Sequence, residues 1–167
     1  MTFINRYLKI VLILLFLPTV SFGGQFMVTR VTDGDTIKIA ADGSKITVRL
    51  VGIDAPETSK KKNQPGQPFS RKSTKYLANL VLNKSVEVKS YGTDRYGRTL
   101  GVVFVNGKNV NLEMVKAGLA EVYRGRPAKG FDNGPYLRAE SEAREARLNM
   151  WSLGDKYISP KEWRRMH

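Results

Sequence analysis

Two short acidic clusters and one basic turn hold most of the residues able to do chemistry. Asp33-Gly34-Asp35-Thr36 comes first, Arg49 follows, and then Asp54-Ala55-Pro56-Glu57-Thr58. Asp94-Arg95-Tyr96-Gly97-Arg98 forms the third group. Asp35 sits beside a tight turn and Asp54 ends an apolar run, so a compact fold can bring two short carboxylates together. Carboxylate and carbonyl oxygens are hard ligands, suited to Ca2+, Mg2+ or Mn2+ rather than zinc. Glu57, three residues past Asp54, can take the proton of a water near such an ion. Arg49 lies among Val48, Leu50 and Val51, where a guanidinium needs an anionic partner. Two guanidinium forks and a divalent cation converging on one spot would bind a phosphodiester and stabilise the charge that builds at phosphorus.

Each residue also has a plainer reading. An Asp-Gly pair is usually a turn, and Asp54 and Glu57 can simply solvate a loop beside Pro56. Arg49 can face water from an edge strand, and Arg98 can pair with Asp94. Composition narrows the chemistry further. The chain has no cysteine, which excludes disulfides, thiolate metal sites and a cysteine nucleophile. Its one histidine, His167, is the last residue and a poor candidate for a ligand or base. Any catalysis must therefore run on carboxylates and arginines, with or without a metal. A net charge of +13 attracts polyanions, nucleic acid first and anionic membrane or polysaccharide behind it.

The elements that must position these residues fit one domain in 167 residues. Strands are expected over Phe26–Val31, Thr36–Ala40 and Lys45–Ile53, with Asp42-Gly43 as a hairpin turn. Lys60 to Pro68 reads as a polar loop, and Phe69–Leu82 as a helix from its apolar spacing. Two further strands, one marked by Val86 and Val88 and one over Thr99–Val105, precede helices over Val110–Leu119 and Tyr136–Met150. Five strands with a helix between the third and fourth give the connectivity of an OB-type β-barrel, here with three helices. Residues 1–23 read as a signal peptide: Arg6 and Lys9 precede an apolar run from Ile10 to Leu17, Pro18 breaks it, and small residues follow. Cleavage after Gly23 removes those two basic residues and no acidic one, leaving +11 on a domain of residues 24–167, exported to the periplasm or medium with no stable membrane insertion.

The three motifs in this order, continued by Val115-Lys116-Ala117-Gly118-Leu119-Ala120 and Leu148-Asn149-Met150-Trp151-Ser152, closely resemble the staphylococcal (micrococcal) nuclease family over nearly all of residues 26–153. The resemblance implies that Asp35 and Asp54 bind one Ca2+, helped by the backbone carbonyl of Ala55, where the best-known member carries threonine. It makes Arg49 and Arg98 the phosphate-binding arginines, Glu57 the general base, and Arg95 and Tyr96 neighbours of the substrate's terminal phosphate and sugar. A pair of tyrosines in the family is reduced to one here, and Tyr123 is the residue expected to stack on a base. By the same likeness the protein hydrolyses DNA and RNA to 3′-phosphate products as a monomer, with no small organic cofactor. A site that holds a phosphate and a splayed base together favours single strands. The insert Gly125–Pro135 reads as a solvated loop in preference to a source of phosphate contacts, and Trp151 as core. Two readings from other classes compete: a non-catalytic nucleic-acid-binding barrel, and a cationic envelope protein that binds polysaccharide or lipid. The joint presence of Asp35, Arg49, Asp54, Glu57 and Arg98 argues against the first, because carboxylates repel phosphate unless a cation intervenes.

Overall fold

A computed structural model describes residues 24–41, 43–59 and 63–167. The expected signal peptide and the Lys60-Lys61-Lys62 run lie outside the described residues. Strands β1 (Gln25–Val31), β2 (Thr36–Ala41) and β3 (Ser44–Leu50) form an antiparallel meander. The period of two decides which side chains enter the core: Ile37, Ile39, Val48 and Leu50 point inward, and Arg49 between the last two points out. After a two-residue strand β4 (Ile53–Asp54) and helix α1 (Ser70–Val81), the long strands β5 (Ser85–Thr93) and β6 (Thr99–Val105) complete the sheet. The order is β3-β2-β1-β5-β6, with the two-residue strand β7 (Lys108–Asn109) beside β6, and parallel pairing of β3 with β6 closes the five long strands into a ring. This is the OB-type barrel expected from the strand and helix order.

The helices differ from expectation in number. Among the described residues there are five helical segments: α1, α2 (Val110–Lys116), α3 (Gly134–Glu145), a 3-10 segment (Asn149–Lys156) and α4 (Pro160–Met166). The single helix expected over 136–150 stops at Glu145 because Arg147 and Asn149 turn left-handed, with φ of 51° and 47°. The third strand also ends early. Gly52, at φ 81°, turns the chain after Leu50, and Ile53–Asp54 pair separately with β8 (Glu121–Val122). That turn lifts Asp54 out of the barrel wall and aims the following loop across its mouth.

Helix α1 closes the barrel with Ser73, Leu77 and Val81, a buried stripe at four-residue spacing. Leu77 is fully buried, and its truncation to Ala would cost about 2–5 kcal/mol. A second fastener lies under the site. The buried Asn111 accepts the Val103 N–H at 3.0 Å and donates to the carbonyls of Val51 and Gly101, both at 3.0 Å. It thereby pins the turn after β3 to β6, with every polar atom of its side chain bonded.

Candidate active site

Arg49 leaves β3 on its outward face and meets two acids. One nitrogen donates to Asp35 Oδ1 at 2.8 Å and the other to Asp54 Oδ1 at 2.9 Å. The acids are nearly sealed, Asp35 at 4% and Asp54 at 2% exposure. Asp35 Oδ1 also accepts the Thr36 hydroxyl, and Oδ2 accepts the Ala55 N–H at 3.2 Å. Burial alone would lower the Arg49 pKa, but the carboxylates of Asp35 and Asp54 outweigh it and raise it. Next to them, burial and then the Asp35 charge push Asp33 up to about 7. The acidic turn lies close against the rest of the site. A Cβ on Gly34 would come 2.0 Å from Ser73 Oγ and 2.7 Å from the Ala55 Cβ, so only glycine lets the turn dock there.

Glu57 is held by its backbone and by its carboxylate. Its N–H donates to Gln67 Oε1 at 3.0 Å and its carbonyl accepts the Gln67 N–H at 2.9 Å. Its carboxylate accepts a hydrogen bond from Arg164 of α4, which also grips Asp54 Oδ1 at 3.0 Å and Oδ2 at 2.7 Å. These bonds, led by the one to Asp54, raise the Arg164 pKa. Among the described residues no three His, Cys, Asp or Glu side chains gather as a metal-binding cluster. The donors available for a cation are therefore two aspartates with backbone carbonyl and water. All are hard oxygens, a set that fits calcium, which accepts several such ligands in flexible geometry.

The site opens into a groove of about 1240 Å³, lined by Asp35, Arg49, Ala55, Glu57, Arg95, Tyr96, Arg98 and Tyr123 among others. All the residues singled out from sequence therefore reach this groove except Asp54, which lies buried beneath it. Arg98 does not touch the two aspartates. It pairs with Asp94 through Nε at 2.8 Å, just before β6 begins beside β3. The exposed Tyr96 ring has the guanidinium of Arg95 4.9 Å from its centroid and that of Arg98 at 5.5 Å. Tyr123 leaves β8 with its N–H on the Gly52 carbonyl, and its side chain is 42% exposed.

The insert after Tyr123 is more than a solvated loop. Phe131 lies over Gly52 and packs edge-on against Tyr91 at 5.4 Å, which brings Arg126 to the groove wall. Trp151 is buried as expected, with Arg144 stacked on its ring at 3.7 Å.

Residues 47–153 match the family described as Staphylococcal nuclease homologue. The chain belongs to the staphylococcal nuclease family. It is 41% identical to a protein described as "Uncharacterized endonuclease" from Haemophilus influenzae, over 83% of this chain and 71% of that one. Identity is 38% to "Micrococcal nuclease" of Shigella flexneri (83% and 79% covered) and 36% to "Thermonuclease" of Staphylococcus intermedius (77% and 77%). Membership in a nuclease family supports an endonuclease activity, the hydrolysis of phosphodiester bonds in nucleic acid. The matched span of the nuclease family ends before Arg164. Sequence reasoning missed Arg164 and Gln67, and only the first left a local signal: Ser159-Pro160-Lys161-Glu162 is a helix-start signature.

Proposed function

We propose that this chain is an exported nuclease that uses one calcium ion to hydrolyse DNA and RNA, single strands in preference, leaving 3′-phosphate ends. The observation that carries the reading is the pair of buried aspartates joined by one arginine at the floor of an arginine-walled groove. Asp35, Asp54 and the Ala55 carbonyl are the proposed calcium ligands. A bound divalent cation supplies charge to stabilise the phosphorane-like transition state and to acidify water. Arg49 and Arg98 bind the phosphate oxygens, and Glu57 accepts the proton of the attacking water. The oxygen–phosphorus bond on the 5′ side breaks, and the 3′ side keeps the phosphate. Arg95 and Tyr96 hold the neighbouring terminal phosphate and sugar, and Tyr123 offers its exposed ring to a base. No helix among the described residues is long and apolar enough to cross a membrane, which is compatible with release after removal of residues 1–23.

The test uses the purified chain on denatured and on duplex DNA, with calcium and then with excess chelator. Calcium-dependent degradation that is faster on denatured DNA and stops with chelator is the expected result. Salt-sensitive binding without cleavage under calcium, magnesium or manganese would turn the reading into the non-catalytic barrel.

A further inference from the structure

Arg164 lies 110 residues from Asp54 in the chain and beyond the span that matches the nuclease family, yet its guanidinium reaches the middle of the site. It donates to both oxygens of Asp54 and to Glu57 Oε1. A long arginine can meet a surface acid by chance, but this one is aimed. Helix α4 starts at a fixed place: Ser159 and Glu162 form a reciprocal capping box and Pro160 occupies the first turn. That start is tied to Glu57 through one buried side chain. Gln67, 5% exposed, accepts the Glu57 N–H and donates from Nε2 to the Ile158 carbonyl at 2.7 Å, next to the helix cap. Trp163, beside Arg164, lines the same small cleft as Pro56, beside Glu57.

The charges around this point suggest what the contact does. Asp35, Asp54 and Glu57 are bound by two arginines, Arg49 and Arg164, so these three acids keep a surplus of negative charge that suits a divalent cation. Both Asp54 oxygens are already engaged, Oδ1 by Arg49 and Arg164 and Oδ2 by Arg164. A cation approaching Asp54 Oδ2 competes, in charge and in space, with the Arg164 guanidinium already bonded there. Arg164 is the one able to yield, with a side chain 39% exposed against 17% for Arg49.

We propose that Arg164 is a positioning residue of the nuclease site, bridging Asp54 and Glu57 before a divalent cation arrives, then ceding Asp54 to the cation while still orienting Glu57. The proposal rests on the nuclease reading of the site. Removing the guanidinium frees Asp54 and leaves Glu57 without its hold, so cation affinity rises while turnover falls. Loss of a merely structural contact would weaken both together.

The experiment compares the full chain with Arg164→Ala and Arg164→Lys, measuring calcium binding by calorimetry and steady-state cleavage of denatured DNA at saturating calcium. In the alanine variant, calcium should bind about tenfold tighter and kcat should fall about tenfold, the size of one charge-assisted hydrogen bond. KM for DNA should stay within about twofold and lysine should fall between, because an ammonium lacks the planar fork. Calcium affinity equal to or weaker than wild type, or an unchanged kcat, overturns the proposal. Wild-type protein gives a second reading that needs no variant: calcium should speed amide exchange in residues 161–166, and unchanged exchange there also overturns it. The two failures are distinguishable. A failed nuclease reading appears as wild type that cleaves no nucleic acid, and a failed Arg164 proposal as equal calcium affinity in variant and wild type.

Discussion

Arg49 spans Asp35 and Asp54, 2.8 Å from one carboxylate and 2.9 Å from the other. The three groups lie on separate stretches: a turn after β1, the end of β3 and the short strand β4. Their junction therefore reports that the barrel wall is correctly built, and it also leaves each acid a buried charge in need of a counter-charge. Arg49→Ala should cost about 3 kcal/mol in the presence of chelator, because buried Asp35 loses its counter-charge and Asp54 keeps only Arg164. Calcium should restore part of that loss, seen as a recovery of the urea midpoint. A variant as stable as wild type in chelator would show that Arg49 is not the counter-charge.

Glu57→Gln preserves size and leaves the backbone clamp by Gln67 untouched. Turnover should fall about a hundredfold while calcium binds as in wild type, since the lost function is proton acceptance. Calorimetry and a cleavage assay on the same preparation check both halves. Full turnover in the glutamine variant would remove Glu57 from the role of base.

The Asp94 turn carries a pH signature. Burial pushes its carboxyl up, but the N–H groups of Arg98 and Tyr96 and the Arg98 side chain outweigh that and hold it below the ordinary 3.8. An acid whose pKa is lower in the folded state stabilises the fold above its unfolded pKa and loses that contribution as pH falls through the folded value. Wild type should exceed Asp94→Asn in stability by about 1 kcal/mol at neutral pH. The gap should narrow below 3.8 and close at lower pH, followed by thermal unfolding across an acid series. A gap that persists unchanged at low pH would exclude the carboxylate charge as its source.

Gly34→Ala tests whether the acidic turn must press against α1. Its new methyl would overlap Ser73 Oγ and the Ala55 Cβ, so the turn must back away or the helix must shift. A loss of about 1–3 kcal/mol is expected from overpacking, with weaker calcium binding as Asp35 moves off. The double variant Gly34→Ala, Ser73→Gly should recover part of both, and no recovery would point to a backbone cause.

Most of the barrel was readable because its strands obey the two-residue period and its turns carry Asp-Gly and Asn-Gly pairs. The first strand, the second and Thr99–Val105 fall within a residue of expectation. What composition could not show was conformation at single residues. Residues 136–150 are rich in Ala, Glu and Arg, and nothing local announces that Arg147 turns left-handed and ends the helix. The groove-facing acids and arginines were legible as a set, from three motifs in one order, and Arg49 also from its place in an apolar strand. Arg164 and Gln67 were not, because each acts on residues far away in the chain. The capping signature at Ser159 foretells a helix but not where it docks. The plain reading of Arg98 as the partner of Asp94 also proved structurally right, and that pairing leaves Arg98 on the groove.

The seam between β3 and β6 has a consequence for the life of the chain. Arg49 and Arg98 flank the parallel join that closes the ring, with Val48 opposite Thr99. Without that join, the two proposed phosphate-gripping groups ride on strands that are not paired, and the proposed site is not assembled. An unfolded chain therefore brings no paired arginines to a phosphate, and cutting can begin only after the ring has closed. Topology thus makes closure of the barrel the step that switches the site on.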